Sequence, residues 1–214
     1  ETPFGFNNDV TGLNIIELSG ANTHVTMGST NGYDLVDGEL NVGSSAELKV
    51  TGDVTGTGGL TKTGEGQLRL SGTNSYSGDT RLAAGLLIVE SDAAMGSGAL
   101  VIGSLPQLGG TGAVLVGGRT LTNVVNVGAS VAAGQYGVLY AAPTGLLEGV
   151  FPSPDAEPEL NTVSGAVTLS SSLIVAAVTG SELIVSGAID GVSGAEQALA
   201  GFDSGGKVTF SGGI

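Results

Sequence analysis

Residues 47–59 read Glu-Leu-Lys-Val-Thr-Gly-Asp-Val-Thr-Gly-Thr-Gly-Gly, and residues 182–194 read Glu-Leu-Ile-Val-Ser-Gly-Ala-Ile-Asp-Gly-Val-Ser-Gly. Six of the thirteen positions are identical between these two segments. The next segment, 66–72, corresponds in the same way to 206–212, with five extra residues before the second copy. Imperfect repeats separated by insertions are typical of a stacked array, in which each unit buries its apolar face against its neighbours.

The repeats consist of short strands separated by glycine-containing turns, and the rest of the chain follows the same rhythm. Apolar and polar residues alternate in 48–50, as expected for a strand with one buried face. Lys49 and Arg69 occupy polar slots and are predicted to point into solvent. Helical patterns are confined to 91–95 and 195–200, each long enough for a single turn. The chain is therefore predicted to be all-β, with further strands at 39–42, 68–70, 86–89, 100–102, 114–116, 138–140, 167–169, 173–175, 183–185 and 208–210.

The composition favours a parallel β-solenoid, a β-helix, over other all-β folds. Hydrophobic residues make up 41% of the 214 residues, yet the chain contains only nine aromatic residues and no tryptophan. Such a composition suits a narrow interior filled by ladders of aliphatic side chains. A β-sandwich is the alternative, although sandwiches of this length commonly bury tryptophan or several aromatic residues. We predict that residues 1–214 form a single β-solenoid domain or a fragment of one.

Charge and residue usage exclude several classes of function. The formal net charge is −14, which argues against nucleic-acid binding and against docking on an anionic membrane. The absence of cysteine excludes a disulfide scaffold, a thiolate zinc site and a cysteine nucleophile. Stretches 93–118 and 120–147 lack charge, but polar residues and glycines interrupt them too often for a membrane-spanning helix. No signal peptide is recognisable at the amino terminus, so it is absent or already removed.

Residues 58–89 carry a distinctive signature. They begin Gly-Gly-Leu-Thr-Lys-Thr-Gly, continue through a strand into the turn Ser-Gly-Thr-Asn-Ser-Tyr-Ser-Gly at 71–78, and end in a second strand. This segment resembles the passenger-associated transport repeat of bacterial autotransporter passengers. A weaker similarity, at 133–151, is to a segment that often follows such repeats. The resemblance implies a right-handed parallel β-helix exported to a cell surface, and it implies no catalysis, because the repeat is a structural unit.

Two motifs that could indicate chemistry have simpler interpretations. His24 is the only histidine and has no cysteine or second histidine with which to hold a metal. A Ser/His/Asp triad would have to use it, yet the chain has no Gly-x-Ser-x-Gly elbow. Residues 56–63 superficially resemble a phosphate-binding loop, but glycine does not precede Lys62 and no helix follows. We predict a solvated turn at His24, an ordinary turn at 56–63, and no catalytic, cofactor-binding or metal site.

Paired carboxylates are the main argument for an enzyme, because β-helices also host polysaccharide hydrolases and lyases. Adjacent coils lie about 4.8 Å apart, so side chains on successive coils can meet. Asp53, Glu65, Asp79 and Arg81 lie near the densest motif and are the candidates for such a cluster. The same residues serve equally well as solvated outer positions.

The segment 151–159 is the clearest loop, because its three prolines lack backbone donors and its three carboxylates repel one another. Calcium could bind its oxygens, but the chain has no EF-hand loop and no glycine-aspartate repeat. The four tyrosines, Tyr33, Tyr76, Tyr136 and Tyr140, would form a sugar-stacking patch if they shared a face. Their spacing favours capping of turns or filling of corners instead.

These observations predict a non-enzymatic, extracellular or cell-surface structural or adhesive protein. Its expected partners are surface or matrix glycans and proteins, or further copies of itself. Self-association could occur head to tail into a fibre, or laterally through the low-charge stretch 93–147. The alternative function is a β-helix enzyme acting on polysaccharides.

Overall fold

The structure, a computed structural model, describes residues 15–18, 24–27, 33–35, 37–103, 112–128, 136–144, 158–191 and 199–213. All regular elements in these ranges are β-strands. The described residues therefore contain no helix that could cross a membrane. The strands are β1 (Ile15–Leu18), β2 (His24–Met27), β3 (Tyr33–Leu35), β4 (Gly38–Val42), β5 (Glu47–Val50), β6 (Val54–Gly56), β7 (Leu60–Thr63), β8 (Gln67–Leu70), β9 (Thr80–Leu82), β10 (Leu86–Val89), β11 (Leu100–Ile102), β12 (Gly112–Val116), β13 (Thr120–Leu121), β14 (Val125–Val127), β15 (Tyr136–Ala142), β16 (Glu159–Val163), β17 (Val167–Leu169), β18 (Ser172–Val178), β19 (Ser181–Val185), β20 (Ile189–Gly191), β21 (Leu199–Ser204) and β22 (Lys207–Phe210).

The strands stack as successive coils of a β-solenoid. The first sheet has the order β1-β4-β7-β9-β11-β14-β17-β20, and the second has the order β2-β5-β8-β10-β12-β15-β18-β21. A third side carries a four-stranded sheet, β13-β16-β19-β22, and the pair β3-β6. All these strand pairs are parallel. Each coil thus adds one strand to the first sheet and one to the second, which confirms the predicted solenoid and excludes the β-sandwich.

The interior is filled by in-register ladders of aliphatic side chains, as the composition predicts. In the second sheet Leu48, Leu68 and Leu87 lie opposite one another and are fully buried. In the first sheet Leu82 lies opposite Ile102 in the same way. Burial of each such side chain contributes about 1.5–3 kcal/mol, so the ladders are the principal source of stability.

Glycines form the corner between the first and second sheets. Gly64 follows β7 and Gly85 precedes β10, and both have a φ angle of +72°. A Cβ atom added to Gly85 would lie 2.5 Å from the carbonyl oxygens of Gly64 and Gly66. The left-handed backbone and the tight stacking of coils both require glycine at this corner.

On the third side some coils contribute a β-strand and others contribute a segment without a strand. Around 71–79 and 91–99 the third side has no strand, and the polar side chain of Asn74 is buried in the interior beside apolar side chains. The Asn74 side chain accepts a hydrogen bond from the Val54 amide (2.8 Å) and donates one to the Ala94 carbonyl, so it links three coils.

The two copies of the sequence repeat lie on different sheets, since β5 and β8 belong to the second sheet and β19 and β22 to the third side.

The structure corrects the predicted helical turn at 91–95 and the predicted orientation of Arg69, and it describes only part of the second predicted helical turn, 195–200. Residues 91–95 form turns, with an Ala94 amide to Ser91 carbonyl bond of 3.1 Å, and no helix. The Arg69 side chain does not extend into solvent, because only 4% of the residue is exposed. Of 195–200, residues 195–198 lie outside the described residues and the last two begin strand β21.

Candidate functional site

A groove lies on the outer face of the first sheet, next to the third side. It has a volume of about 620 Å³ and is formed by residues of three successive coils. Glu39, Thr61 and Arg81 lie opposite one another in β4, β7 and β9 and form its floor. The lining residues are Asp37, Gly38, Glu39, Thr57, Gly59, Thr61, Gly78, Asp79 and Arg81. A Cβ atom at Gly59 would lie 2.7 Å from the carbonyl oxygen of Asp79, so the coils stack too closely there for a side chain.

The carboxylates of the groove hold neighbouring coils together. Asp37 Oδ1 accepts a hydrogen bond from the Gly59 amide (2.8 Å), and Asp79 Oδ1 accepts one from the Ala99 amide (3.1 Å). Asp79 Oδ2 also lies 3.0 Å from Arg81 Nη2. Each of these two aspartates therefore joins its own coil to the next through a charge-assisted hydrogen bond.

Glu39 makes a similar link through a side chain, because its Oε1 atom accepts a hydrogen bond from the Thr63 hydroxyl (2.7 Å). Asp37 has a φ angle of +120°, a conformation that residues other than glycine rarely adopt. Its bond to the next coil holds this strained turn in place. The groove thus presents three carboxylates, one guanidinium and two threonine hydroxyls on a rigid floor.

The groove contains half of the residues predicted from sequence. Asp79 and Arg81 both line it, whereas Asp53 and Glu65 do not. Asp53 accepts a hydrogen bond from the Thr73 amide (2.8 Å), and Glu65 is exposed at the corner after β7.

Asp37 and Glu39 complete the groove and were missed from sequence. The signal that could have found them is the length of a coil. The two groove aspartates bond to residues 20 and 22 positions further along the chain, so residues with these separations lie on adjacent coils. Counting back one coil from Gly59 and Thr61 reaches Asp37 and Glu39.

Of the predicted turn at 56–63, residues 57–59 connect two strands, whereas 60–63 form strand β7. The phosphate-loop alternative fails because Lys62 points into the solenoid. The residue is fully buried and lies in the same ladder as Leu40 and Leu82. Its ammonium nitrogen donates to the carbonyls of Thr63 (2.7 Å), Gly64 (2.6 Å) and Ala84 (3.2 Å). Burial lowers the pKa of Lys62 to about 8. The alternation of Leu60 and Lys62 on one strand face is the sequence signal for this placement.

Arg69 lies within an ionic network on the outer face of the second sheet. Its guanidinium is 2.5 Å from Glu90 and its Nε is 3.2 Å from Glu47. Lys49 also approaches Glu90, at 3.2 Å. The long side chain of Arg69 lies across the sheet and pairs with carboxylates from neighbouring coils, which explains its burial.

The tyrosines whose side chains are described do not form a common patch. Tyr76 is buried in the interior, where its hydroxyl lies 2.5 Å from that of Thr80, and burial raises its pKa to about 12. Tyr140 packs on the outer face of the second sheet beside Ile88 and Ala142, and partial burial raises its pKa as well. The two rings therefore cannot stack on one sugar.

The remaining sequence candidates are His24 and the acidic loop 151–159. Within the described ranges no group of three or more histidine, aspartate and glutamate residues is arranged to hold a metal. His24 lies in strand β2 rather than in a turn. Most of the predicted acidic loop, 151–157, lies outside the described residues, while Glu159 begins β16 and accepts a hydrogen bond from the Thr144 amide (2.8 Å).

Comparisons with known proteins identify a family model and a relative that this chain resembles. A segment of 115 residues is 37% identical to a protein named adhesin BmaC autotransporter from Brucella suis biovar 1 (strain 1330). The alignment covers 46% of this chain but 3% of that much longer protein. No solved structure matches the chain. Residues 60–89, which form β7 to β10, match the model of the passenger-associated-transport-repeat family, so the resemblance seen in the sequence is confirmed for this segment.

Proposed function

We propose that this chain is a segment of an extracellular, cell-surface β-solenoid that acts as a non-enzymatic adhesive scaffold. The observation that carries the proposal is a passenger-associated transport repeat built into a continuous parallel solenoid. The similarity to a protein named as an autotransporter adhesin supports the same function. In this proposal the backbone ladders supply stiffness along the axis, and outward side chains make the contacts.

The groove is the proposed contact site. Its carboxylates and threonine hydroxyls match the hydroxyl and amino groups that surface glycans and proteins present. The floor is rigid, because Asp37, Glu39 and Asp79 each hold an adjacent coil. A rigid site loses little conformational entropy when it binds. The net charge of −14 makes such contacts sensitive to salt.

Adhesion can be tested with beads that carry residues 1–214, applied to arrays of immobilised glycans and matrix proteins. We expect retention on a subset of the array and weaker retention at high salt. The variant Glu39→Gln should reduce retention, because it removes a groove charge while keeping an acceptor for Thr63. Glu65→Gln is the matched control, since it removes the same charge outside the groove. Equal retention of the two variants would contradict the groove as contact site, and absence of any retention would contradict adhesion.

A polysaccharide hydrolase or lyase is the alternative. Two of its candidate carboxylates already accept hydrogen bonds from neighbouring coils, which argues against a role in acid–base catalysis. Asp79 is committed to the Ala99 amide and to Arg81, and Asp53 to the Thr73 amide. Turnover of any polysaccharide in a panel of acidic and neutral polymers, abolished by Asp79→Asn, would establish the enzyme and overturn the scaffold.

We further propose that the scaffold self-associates head to tail. Val208 and Phe210 of β22 pack on the core but stay partly exposed, so the last described coil offers an apolar surface. When residues 1–214 are produced alone, a second copy could add its first coil there by parallel strand pairing. Electron microscopy distinguishes fibres from dispersed short rods.

A further inference from the structure

Lys62 occupies a place that an aliphatic residue fills in the neighbouring coils. The ladder runs through Leu40, Lys62, Leu82 and Ile102, and all four residues are buried. Transfer of an ammonium group into such surroundings is unfavourable unless hydrogen bonds replace its water. The lysine is therefore not placed here for hydrophobic packing.

The three acceptors of the ammonium belong to two different coils. Thr63 and Gly64 belong to its own coil, at 2.7 and 2.6 Å, and Ala84 belongs to the next coil, at 3.2 Å. The bond to Ala84 exists only when β9 lies beside β7 in the observed register, with Lys62 opposite Leu82. A slip of two residues would move the Ala84 carbonyl by about 6.6 Å, well beyond hydrogen-bond distance.

The aliphatic side chains by themselves discriminate poorly between these registers. A two-residue slip of β7 along β9 would place Leu60 opposite Leu82, which is still an apolar pair. A side chain that requires particular acceptors excludes such alternatives, as buried polar residues do in coiled coils. We propose that Lys62 fixes the register in which the coil of β7 and β8 stacks on the coil of β9 and β10.

The proposal can be tested by nuclear magnetic resonance of residues 1–214. The amides of Ala83 and Ala84 both donate to the Lys62 carbonyl, so they report directly on the register. The native chain should give one resonance set for β7 to β10. Lys62→Leu matches the rest of the ladder and should give at least two sets, with a new nuclear Overhauser effect between the methyl groups of Leu60 and Leu82. Leu82→Ile, an apolar exchange in the same ladder, is the control and should give one set.

A second variant, Lys62→Met, keeps the length of the side chain without its donors and should behave like Lys62→Leu. One resonance set with native contacts in the variants would overturn the proposal, because the aliphatic ladder would then suffice to define the register. Failure of both variants to fold would also overturn it, since the ammonium would then be required for stability itself.

Discussion

At the scale of single residues, the placement of Lys62 among carbonyl oxygens and aliphatic side chains makes stability depend on pH. Burial lowers its pKa to about 8 from an ordinary value of 10.5. Between these values the unfolded chain binds more protons than the folded one, so the free energy of unfolding rises with pH. We expect denaturant unfolding to show this rise from pH 8 to 10.5.

Lys62→Leu removes the titrating group, so the difference between the native chain and this variant isolates its contribution. The native chain should gain stability relative to the variant as the pH increases through this window. Parallel curves for the two proteins would show that Lys62 keeps its ordinary pKa in the folded state.

Single residues also show where sequence-based prediction stops. Alternation placed Leu48 and Leu68 in the interior correctly, because nothing competes with burial of an aliphatic side chain. It placed Arg69 in solvent wrongly, because whether a long charged side chain is covered depends on carboxylates contributed by other coils. The surroundings of the groove residues Asp37 and Glu39 likewise depend on other coils. Their neighbours can be identified only once the length of a coil is known.

At the scale of elements, the aspartates of the outer face join one coil to the next. Asp79→Ala leaves the Ala99 amide without its acceptor and should lower the free energy of unfolding by about 1–2 kcal/mol. Asp79→Asn keeps an acceptor oxygen and should cost less. Glu65→Ala, at an exposed corner, should change stability by about 0.5 kcal/mol or less. Equal effects of Asp79→Ala and Glu65→Ala in urea unfolding would show that the Asp79 bond contributes nothing.

The corner between the first and second sheets depends on glycine. Gly85→Ala puts a side chain on a residue with a φ angle of +72° and places its Cβ 2.5 Å from two carbonyl oxygens. We expect a loss of about 2 kcal/mol or more in thermal or urea unfolding. Gly213→Ala is the matched control, because no heavy atom lies within 4 Å of its Cβ and its φ angle is not positive. A loss no larger than that of Gly213→Ala would refute the requirement for glycine.

Strands with clear alternation were predictable on all three sides, including 183–185 in β19 and 208–210 in β22, whereas the buried polar side chains of the third side were not. Period-two alternation is strong in segments such as 48–50, because they have one face in the core. The turn at 71–78 has no such period. Its buried Asn74 bonds to the coils on either side, and the hydroxyl of buried Tyr76 bonds to Thr80, four residues further along the chain. From sequence, polar residues in a glycine-rich segment predict a solvated loop, because the residues that bury them and bond to them lie elsewhere in the chain.

At the scale of the whole molecule, each coil is stabilised by its two neighbours, so an outermost coil retains unsatisfied apolar surface. This surface underlies the head-to-tail association proposed for residues 1–214. Val208 points toward the core opposite Leu183 and is half-buried, so a second copy stacked on β22 would bury it further. Val208→Lys should therefore prevent fibres, because a lysine there would have to lose its water.

Thr209→Lys is the matched control for that variant, since the neighbouring side chain points outward on the same strand and lies away from the stacking surface. We expect electron microscopy to show fibres for the native chain and for Thr209→Lys, and short rods for Val208→Lys. Circular dichroism should show the same β content for all three proteins, so that lost assembly is not confused with lost folding. Short rods of the native chain, or fibres of Val208→Lys, would contradict assembly through this coil.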